Sequence, residues 1–286
     1  MPSTPSPLRY PGGKSSVLNM VSEIIHTNNL SGCSYAEPYA GGCGLALNLL
    51  LKGHVENIYL NDYDISIWSF WHSVLEMPTQ LIQKIIDTPV TIDEWRKQRH
   101  IHSTPNEHDT LTLGFSTLFL NRTNRSGIIK AGFIGGAAQD GKYKIDCRFG
   151  KKGLIERIEK IQNHKDKINL YNLDALEFFE KTDSLLSQDG FYCIDPPYYK
   201  KGHTLYTNFY KHDDHVELAR KISDLETKWI LTYDNATEIK SLYPSLKQYL
   251  FNLNYSAGVK RKGTELLVVS NDISIGTKIN ISKVAP

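Results

Sequence analysis

Four short apolar runs, each followed within three residues by an aspartate, constrain this fold more than any other feature. Asn57-Ile-Tyr-Leu-Asn61 meets Asp62, and Lys167-Ile-Asn-Leu-Tyr171 precedes Asp174. Gly190-Phe-Tyr-Cys-Ile194 meets Asp195, and Lys228-Trp-Ile-Leu-Thr-Tyr233 meets Asp234. A fifth run, Glu265-Leu-Leu-Val-Val-Ser270, lies near the end. Runs this short and apolar predict buried strands. Helix-like stretches lie between several of them, at Gly44 to Lys52, Ala175 to Leu186 and Asp214 to Leu225. The alternation predicts an α/β fold with helices on both faces of a mostly parallel sheet. Such sheets bind ligands at the carboxyl ends of their strands, so the four aspartates fall along one candidate rim.

The rhythm breaks between about Ile65 and Lys165. The first part of that stretch is helix-like, around Trp68, Phe70, Trp71, Val74 and Leu75, and its tryptophans read as core residues. The later part, Asn121 to Gly153, is rich in Gly, Arg and Lys, which suggests loops or a hairpin. The simplest division is one body from 1–64 and 166–286, with an inserted, mostly helical domain at 65–165. A length of 286 residues suits one large domain or one with such an insertion.

Composition narrows the setting. Hydrophobic residues make up 40% of the chain, enough for a full core. No run approaches 18 apolar residues, and the start, Met1-Pro-Ser-Thr-Pro-Ser-Pro-Leu8, lacks a signal-peptide pattern. The cysteines (33, 43, 147 and 193) form no C-x-x-C pair, so a reduced, cytoplasmic setting is expected. Net charge is only +2, but Arg122 to Lys152 carries eight Lys/Arg against Asp140 and Asp146. Basic charge concentrated this way suits a phosphate backbone. Lys211-His-Asp-Asp-His215 reads as a helix cap rather than a metal site, and no metal is expected.

Two motifs carry chemistry. Ala36-Glu-Pro-Tyr-Ala-Gly-Gly-Cys-Gly44 opens into the apolar run Leu45 to Leu51. Its glycines allow close approach of backbone to a ligand, and Asp62 follows Gly41 at about the distance at which an acid meets a ribose hydroxyl. The pattern is not G-x-G-x-x-G, which argues against a nicotinamide oxidoreductase. The second motif, Asp195-Pro-Pro-Tyr198, directly follows an apolar strand. Pro196 and Pro197 stiffen the turn and withhold two N–H donors. The Asp195 carboxylate and the Pro196 carbonyl can accept both hydrogens of an exocyclic amine, while Tyr198 stacks on its ring.

With these motifs the chain resembles the Dam-like DNA adenine-N6 methyltransferases, over nearly its whole length. The resemblance rests on Leu8-Arg-Tyr-Pro-Gly-Gly-Lys14, Glu37-Pro-Tyr-Ala-Gly-Gly-Cys-Gly44, Asn61-Asp62, Asn121-Arg-Thr-Asn-Arg-Ser-Gly127 and Asp195-Pro-Pro-Tyr198. It implies a Rossmann-like catalytic sheet, a target-recognition insert, and S-adenosylmethionine as methyl donor. Tyr10, Lys14, Glu37, Gly41, Gly42, Gly44, Asp62, Asp174 and Asp195 would hold that cofactor, Asp62 at the ribose and Asp174 near its adenine. Arg9 sits where the family tends to place a basic DNA-contacting residue. The insert would read duplex DNA, with Arg122, Asn124, Arg125, Lys142, Lys144 and Arg148 as candidate contacts. The glycine-rich loop departs from relatives, many of which carry Phe-x-Gly.

The implied reaction is methyl transfer to N6 of an adenine flipped from the duplex. Hydrogen bonds to Asp195 and Pro196 would localise the nitrogen lone pair, and the carboxylate would stabilise the positive charge that develops. The neutral amine is too weak an acid for Asp195 to deprotonate it first. A C5-cytosine route needs a thiol nucleophile, usually after a proline, whereas Gly32, Gly42, Asp146 and Tyr192 precede the four cysteines here. N4-cytosine or RNA-base amino methylation, and a non-catalytic DNA-binding role on the same fold, are the alternatives. Tyr199 to Lys211, aromatic and basic, reads as a lid or phosphate loop. A partner restriction endonuclease, the recognition sequence and the oligomeric state stay open, a monomer being sufficient. A bacterial or phage-infected cell follows from the resemblance.

Overall fold

A computed structural model of the chain describes residues 4–9, 17–186, 189–200, 210–255, 261–277, 279 and 281–284. The strands are β1 (Ser34–Glu37), β2 (Asn57–Asn61), β3 (Ile168–Tyr171), β4 (Gly190–Ile194), β5 (Lys228–Asp234), β6 (Lys247–Tyr255), β7 (Arg261–Val269) and β8 (Ile281–Lys283). They form one sheet in the order β3-β2-β1-β4-β5-β7-β6-β8. The first five strands pair in parallel, and β7, β6 and β8 complete the sheet in antiparallel. The expected Rossmann-like α/β sheet is present, with an antiparallel end. The order reverses between β1 and β4, which creates a crevice at their carboxyl ends.

Strand burial explains the apolar runs. All five residues of β4 are buried, because the sheet is covered on both faces. Alternate residues feed two cores. Tyr35, Phe191, Cys193, Ile230 and Leu267 pack into one, and Ala36, Tyr192, Ile194, Leu231 and Leu266 into the other. The first face is covered by α1 (Leu18–Thr27) and α2 (Gly44–Leu51), the second by α8 (Ala175–Leu186), α9 (His212–Ser223) and the single turn α10 (Thr237–Lys240).

The insert folds as α3 (Ile65–Glu76), α4 (Pro78–Asp87), α5 (Ile92–Ser103), α6 (Thr110–Thr123) and α7 (Lys151–Gln162). Its apolar residues join the first core: Phe70, Trp71, Leu81, Phe115, Phe119 and Ile158 cluster with Leu45, Val21 and Ile58. Helices α3 and α6 cross closely. A Cβ on Gly114 would stand 2.5 Å from the Ser69 carbonyl oxygen and 2.7 Å from Ser73 Oγ. Between α6 and α7 the basic segment makes a miniature hairpin, with one bridge between Asn124 and Phe133 and a tight turn at Arg125–Gly127.

Several boundaries differ from the sequence reading. Ser34–Glu37 carries no β-branched residue and gives no strand signal, yet parallel pairing on both sides makes it the central strand β1. The last apolar run is the end of a longer strand, because β7 pairs along its whole length with β6. Helix α9 starts two residues before Asp214, whose carboxylate turns back to accept the Lys211 N–H at 2.7 Å.

Candidate active site at the carboxyl ends of β1 and β4

The crevice is built by two loops that leave neighbouring strands together. The β1–β4 register pairs Ala36 with Tyr192, so continuing it by three residues brings Tyr39, at the start of the glycine loop, level with Asp195. On the β1 side, Gly41 has φ +50 and Cys43 φ +48, and the Cys43 N–H closes the turn on Ala40 O at 2.8 Å. Left-handed backbone at two of three residues makes this turn tight. Glu37, fully buried, shapes it from beneath: its Oε1 accepts the Tyr35 hydroxyl at 2.9 Å and the Ala46 N–H of α2 at 3.2 Å. Trp71 of the insert donates its indole N–H to Gly41 O at 2.8 Å, so a core tryptophan also braces the loop.

The rim acids are fixed by backbone donors. Asp62 accepts the Gly41 N–H at 2.8 Å and the Asp64 N–H at 3.0 Å, one on each oxygen. Asn61, buried beside it, donates to Pro38 O and Leu173 O and accepts the Leu173 N–H, tying the ends of β1, β2 and β3 together. Asp174 caps α8 through the Leu176 N–H at 2.9 Å. Asp195 accepts a hydrogen bond from Thr232 Oγ1 at 2.8 Å. Asp234, 7% exposed, accepts the successive N–H groups of Tyr199 and Lys200 at 2.9 and 2.8 Å. It anchors the turn after Asp195-Pro-Pro-Tyr198 instead of facing a ligand. Pro196 and Pro197 are buried, and Tyr198, half-buried, donates its phenol to Glu265 Oε1 at 2.7 Å. Tyr39 of the glycine loop and Tyr210 share a hydrogen bond at 2.9 Å.

The residues present fit S-adenosylmethionine. The two backbone bonds orient the Asp62 carboxylate at the end of β2, and a carboxylate is the kind of acceptor a ribose diol needs. Asp62, Asp174 and Asp195 stand at the ends of β2, β3 and β4, with Gly41, Gly42 and Gly44 between them in the sheet order. Tyr10 and Lys14 lie outside the described residues, as does most of the Tyr199–Lys211 segment.

The candidate DNA residues separate into two groups. Lys142, Lys144 and Arg148 are exposed, as is Arg125 at its turn. Lys142 and Arg148 flank the ring of Tyr143, which is 55% exposed, at 5.8 and 6.0 Å. Arg122 and Asn124, expected to read base edges, are instead buried at 7% and 0%. Asn124 accepts the Trp95 indole N–H at 2.6 Å and donates to Ile128 O and Ile129 O, so its amide is spent on folding the turn. Arg122 donates Nε–H to Pro7 O at 2.5 Å. Burial first, then Arg157, Arg9 and Arg148, disfavour its cation and push its pKa down to about 9. Arg9 is half-buried, with its backbone bonded to Asn121.

Thr232 and Glu265 were not found from the sequence. Glu265 had one available sign, an acid at the head of an apolar run. Among the described residues, His, Cys, Asp and Glu side chains form no cluster able to hold a metal ion, and no helix is long and apolar enough to cross a membrane.

The model of the family described as D12 class N6 adenine-specific DNA methyltransferase matches residues 10–257. No curated protein matches the chain. Among solved structures, the chain is similar to a protein described as an RNA methyltransferase from Pyrococcus horikoshii, at 10% identity and a TM-score of 0.43, covering 97% of this chain and 87% of that one. It is also similar to the rRNA methyltransferase aviRa from Streptomyces viridochromogenes, at 13% identity and a TM-score of 0.39, covering 92% and 88%.

Proposed function

The chain belongs to the D12 class N6 adenine-specific DNA methyltransferases, and from that premise we propose that it methylates N6 of an adenine flipped out of duplex DNA, with S-adenosylmethionine as donor. The observation that carries this reading is the juxtaposition of Asp195, held by Thr232, with the glycine loop held by Asp62 and Trp71. When bound, S-adenosylmethionine supplies an electrophilic methyl group on a positively charged sulfur. Asp62 would take its ribose hydroxyls, and Asp174 would lie toward its adenine.

Asp195 and the Pro196 carbonyl accept the two hydrogens of the target amine. This localises the nitrogen lone pair, which is otherwise delocalised into the ring. As the nitrogen takes the methyl group the methyl–sulfur bond breaks, leaving a neutral thioether. The positive charge passes to the nitrogen, where the Asp195 carboxylate stabilises it in a preorganised site until one N–H proton is released to solvent. Thr232 fixes the carboxylate, so little reorganisation is needed at the moment of reaction. Tyr198 stacks on the flipped base. The exposed cations Arg125, Lys142, Lys144 and Arg148 face the phosphate backbone.

Nucleoside mass spectrometry on unmethylated DNA, incubated with the protein and S-adenosylmethionine, tests the proposal. N6-methyladenine is expected with the intact protein and absent with Asp195→Ala. N4-methylcytosine would keep the amine chemistry and overturn the base assignment. No modified base, with cofactor and DNA both bound, would overturn the enzymatic reading in favour of DNA binding alone.

A further inference from the structure

Arg9 and Arg122 meet where the N-terminal strap crosses the end of α6, Arg148 and Arg157 are close enough to act on them, and no ion pair among the described residues includes any of the four. The strap, residues 4–9, is registered tightly. The Arg9 N–H donates to Asn121 Oδ1 at 2.7 Å, and Asn121 Nδ2 donates back to Arg9 O at 2.7 Å and to Gly127 O at 2.9 Å. Gly127, at φ +77, is packed against the strap so closely that a Cβ would stand 2.5 Å from Arg9 O. Arg9 therefore has a fixed backbone from which its side chain projects.

Two of these guanidinium groups carry a buried N–H donor with no partner among the described residues. Arg122 gives Nε–H to Pro7 O, but its Nη2 is buried without a partner, in a side chain more than nine-tenths buried. Arg9 Nη1 is likewise buried and unpartnered. Arg148 lies close enough to disfavour the cations of both, and Arg157 adds to the effect at Arg122. Buried donors without acceptors cost free energy, and like charges held together cost more. A folded protein keeps such an arrangement where an anion completes it. Exposure is graded: Arg148 is exposed, Arg9 half-buried and Arg122 buried, so an anion entering from solvent meets Arg148 first.

We infer that Arg9, Arg122 and Arg148 form a subsite for one backbone phosphate of the DNA duplex. The inference rests on the DNA reading above and specifies how the duplex is seated. Guanidinium forks match the geometry of phosphate oxygens, and phosphate contacts fix position without reading sequence. This subsite adjoins Gly127, the end of the exposed turn that begins at Arg125. A phosphate held there sets the register in which the 125–150 segment meets the bases.

Fluorescence anisotropy of the full-length protein on two unrelated duplexes of equal length, at about 50 to 200 mM salt, tests the subsite. Arg9→Gln and Arg148→Gln are each expected to flatten the slope of log K against log salt by about 1, equally on both duplexes. The double variant flattens it no further, because both side chains hold one phosphate. Arg148 is exposed, so its variant folds even if substitution at Arg9 disturbs the strap. Unchanged slopes in both single variants, or effects that add in the double variant, would overturn the subsite. Inorganic phosphate that raises the melting temperature of the intact protein but not of Arg9→Gln, without any change of slope, would overturn the DNA phosphate in favour of a free one. N6-methyladenine read by mass spectrometry in the same samples separates the two readings. Methylation with unchanged slopes rejects the subsite alone. Slopes lost as expected without methylation reject the catalytic reading and keep the subsite.

Discussion

The phenol of Tyr198 donates a 2.7 Å hydrogen bond to Glu265, joining the Asp195-Pro-Pro-Tyr198 turn after β4 to the antiparallel strand β7. Glu265 is 2% exposed and pairs in register with Asp234, which holds the next two backbone N–H groups of the same turn. The far end of the ring proposed to stack on the base is thus tethered. Tyr198→Phe keeps the ring and loses the tether. A hydrogen bond to a charged group contributes about 1.5–3 kcal/mol, so single-turnover methylation is expected to slow by about 10- to 100-fold if that energy all serves positioning. Glu265→Gln retains an acceptor and stays within about 10-fold of the intact rate. A Tyr198→Phe rate equal to that of the intact protein would remove the positioning role.

Thr232 plays the same part for Asp195. Its hydroxyl donates at 2.8 Å, and it sits on β5, adjacent to β4 in the sheet. Thr232→Val keeps the shape and removes this donor to the carboxylate. Loss of about 1.5–3 kcal/mol of orientation lowers kcat while leaving the Kd for S-adenosylmethionine within about threefold, since RT ln 3 is under 1 kcal/mol. Thr232→Ser restores the hydroxyl and the rate. Steady-state kinetics with cofactor titration calorimetry check the split, and a Ser variant as slow as Val would sink the argument.

Trp71 links helix α3 to the glycine-rich loop after β1. Its indole is 1% exposed and donates to Gly41 O, whose residue is also buried. Trp71→Phe leaves that carbonyl with only the weak Cys43 thiol donor at 3.9 Å, at a cost of about 1–3 kcal/mol. Melting temperature is expected to drop by about 2–4 °C for each kcal/mol, with S-adenosylmethionine affinity falling alongside. Calorimetry of unfolding and of cofactor binding reads both. A drop in stability with unchanged cofactor affinity would show that the bond supports only the core.

The sheet was legible because fully buried parallel strands read as apolar runs, and three of the rim acids follow directly at their ends. Strand β1 was hidden because four residues, Ser-Tyr-Ala-Glu, carry no strand signature, and tertiary pairing makes the strand. Asp195-Pro-Pro-Tyr198 was legible as a local motif. Its supports were not, since Thr232 and Glu265 lie 37 and 67 residues away in sequence and meet it only through the sheet order. Arg122 and Asn124 misled for a related reason. Residue type suggested base reading, but the end of α6 places both in the interior, where the Asn124 amide is taken up by internal partners and Arg122 is withdrawn from the base edges.

His215 gives the site a defined acid limit. Its ring is 1% exposed, its Nδ1 hydrogen-bonds the Tyr233 hydroxyl at 2.8 Å, and Tyr199 and Tyr210 pack on it at 5.2 and 5.5 Å. Burial pushes its pKa down from 6.5 to about 4; Asp234 and Asp214 oppose the shift and His212 adds to it. The folded pKa lies below the unfolded one, so the unfolded chain binds the proton first as pH falls. Stability from this group is therefore complete above about 6.5 and is lost progressively toward pH 4. Melting temperatures from pH 7 to 4 should fall more steeply for the intact protein than for His215→Gln, which has no proton to take up there. The affected contacts lead into the crevice, because Tyr210 bonds Tyr39 of the glycine loop. S-adenosylmethionine affinity should then weaken over the same window in the intact protein and less in the variant. Parallel melting slopes for the two proteins would show that carboxylates elsewhere set the acid limit.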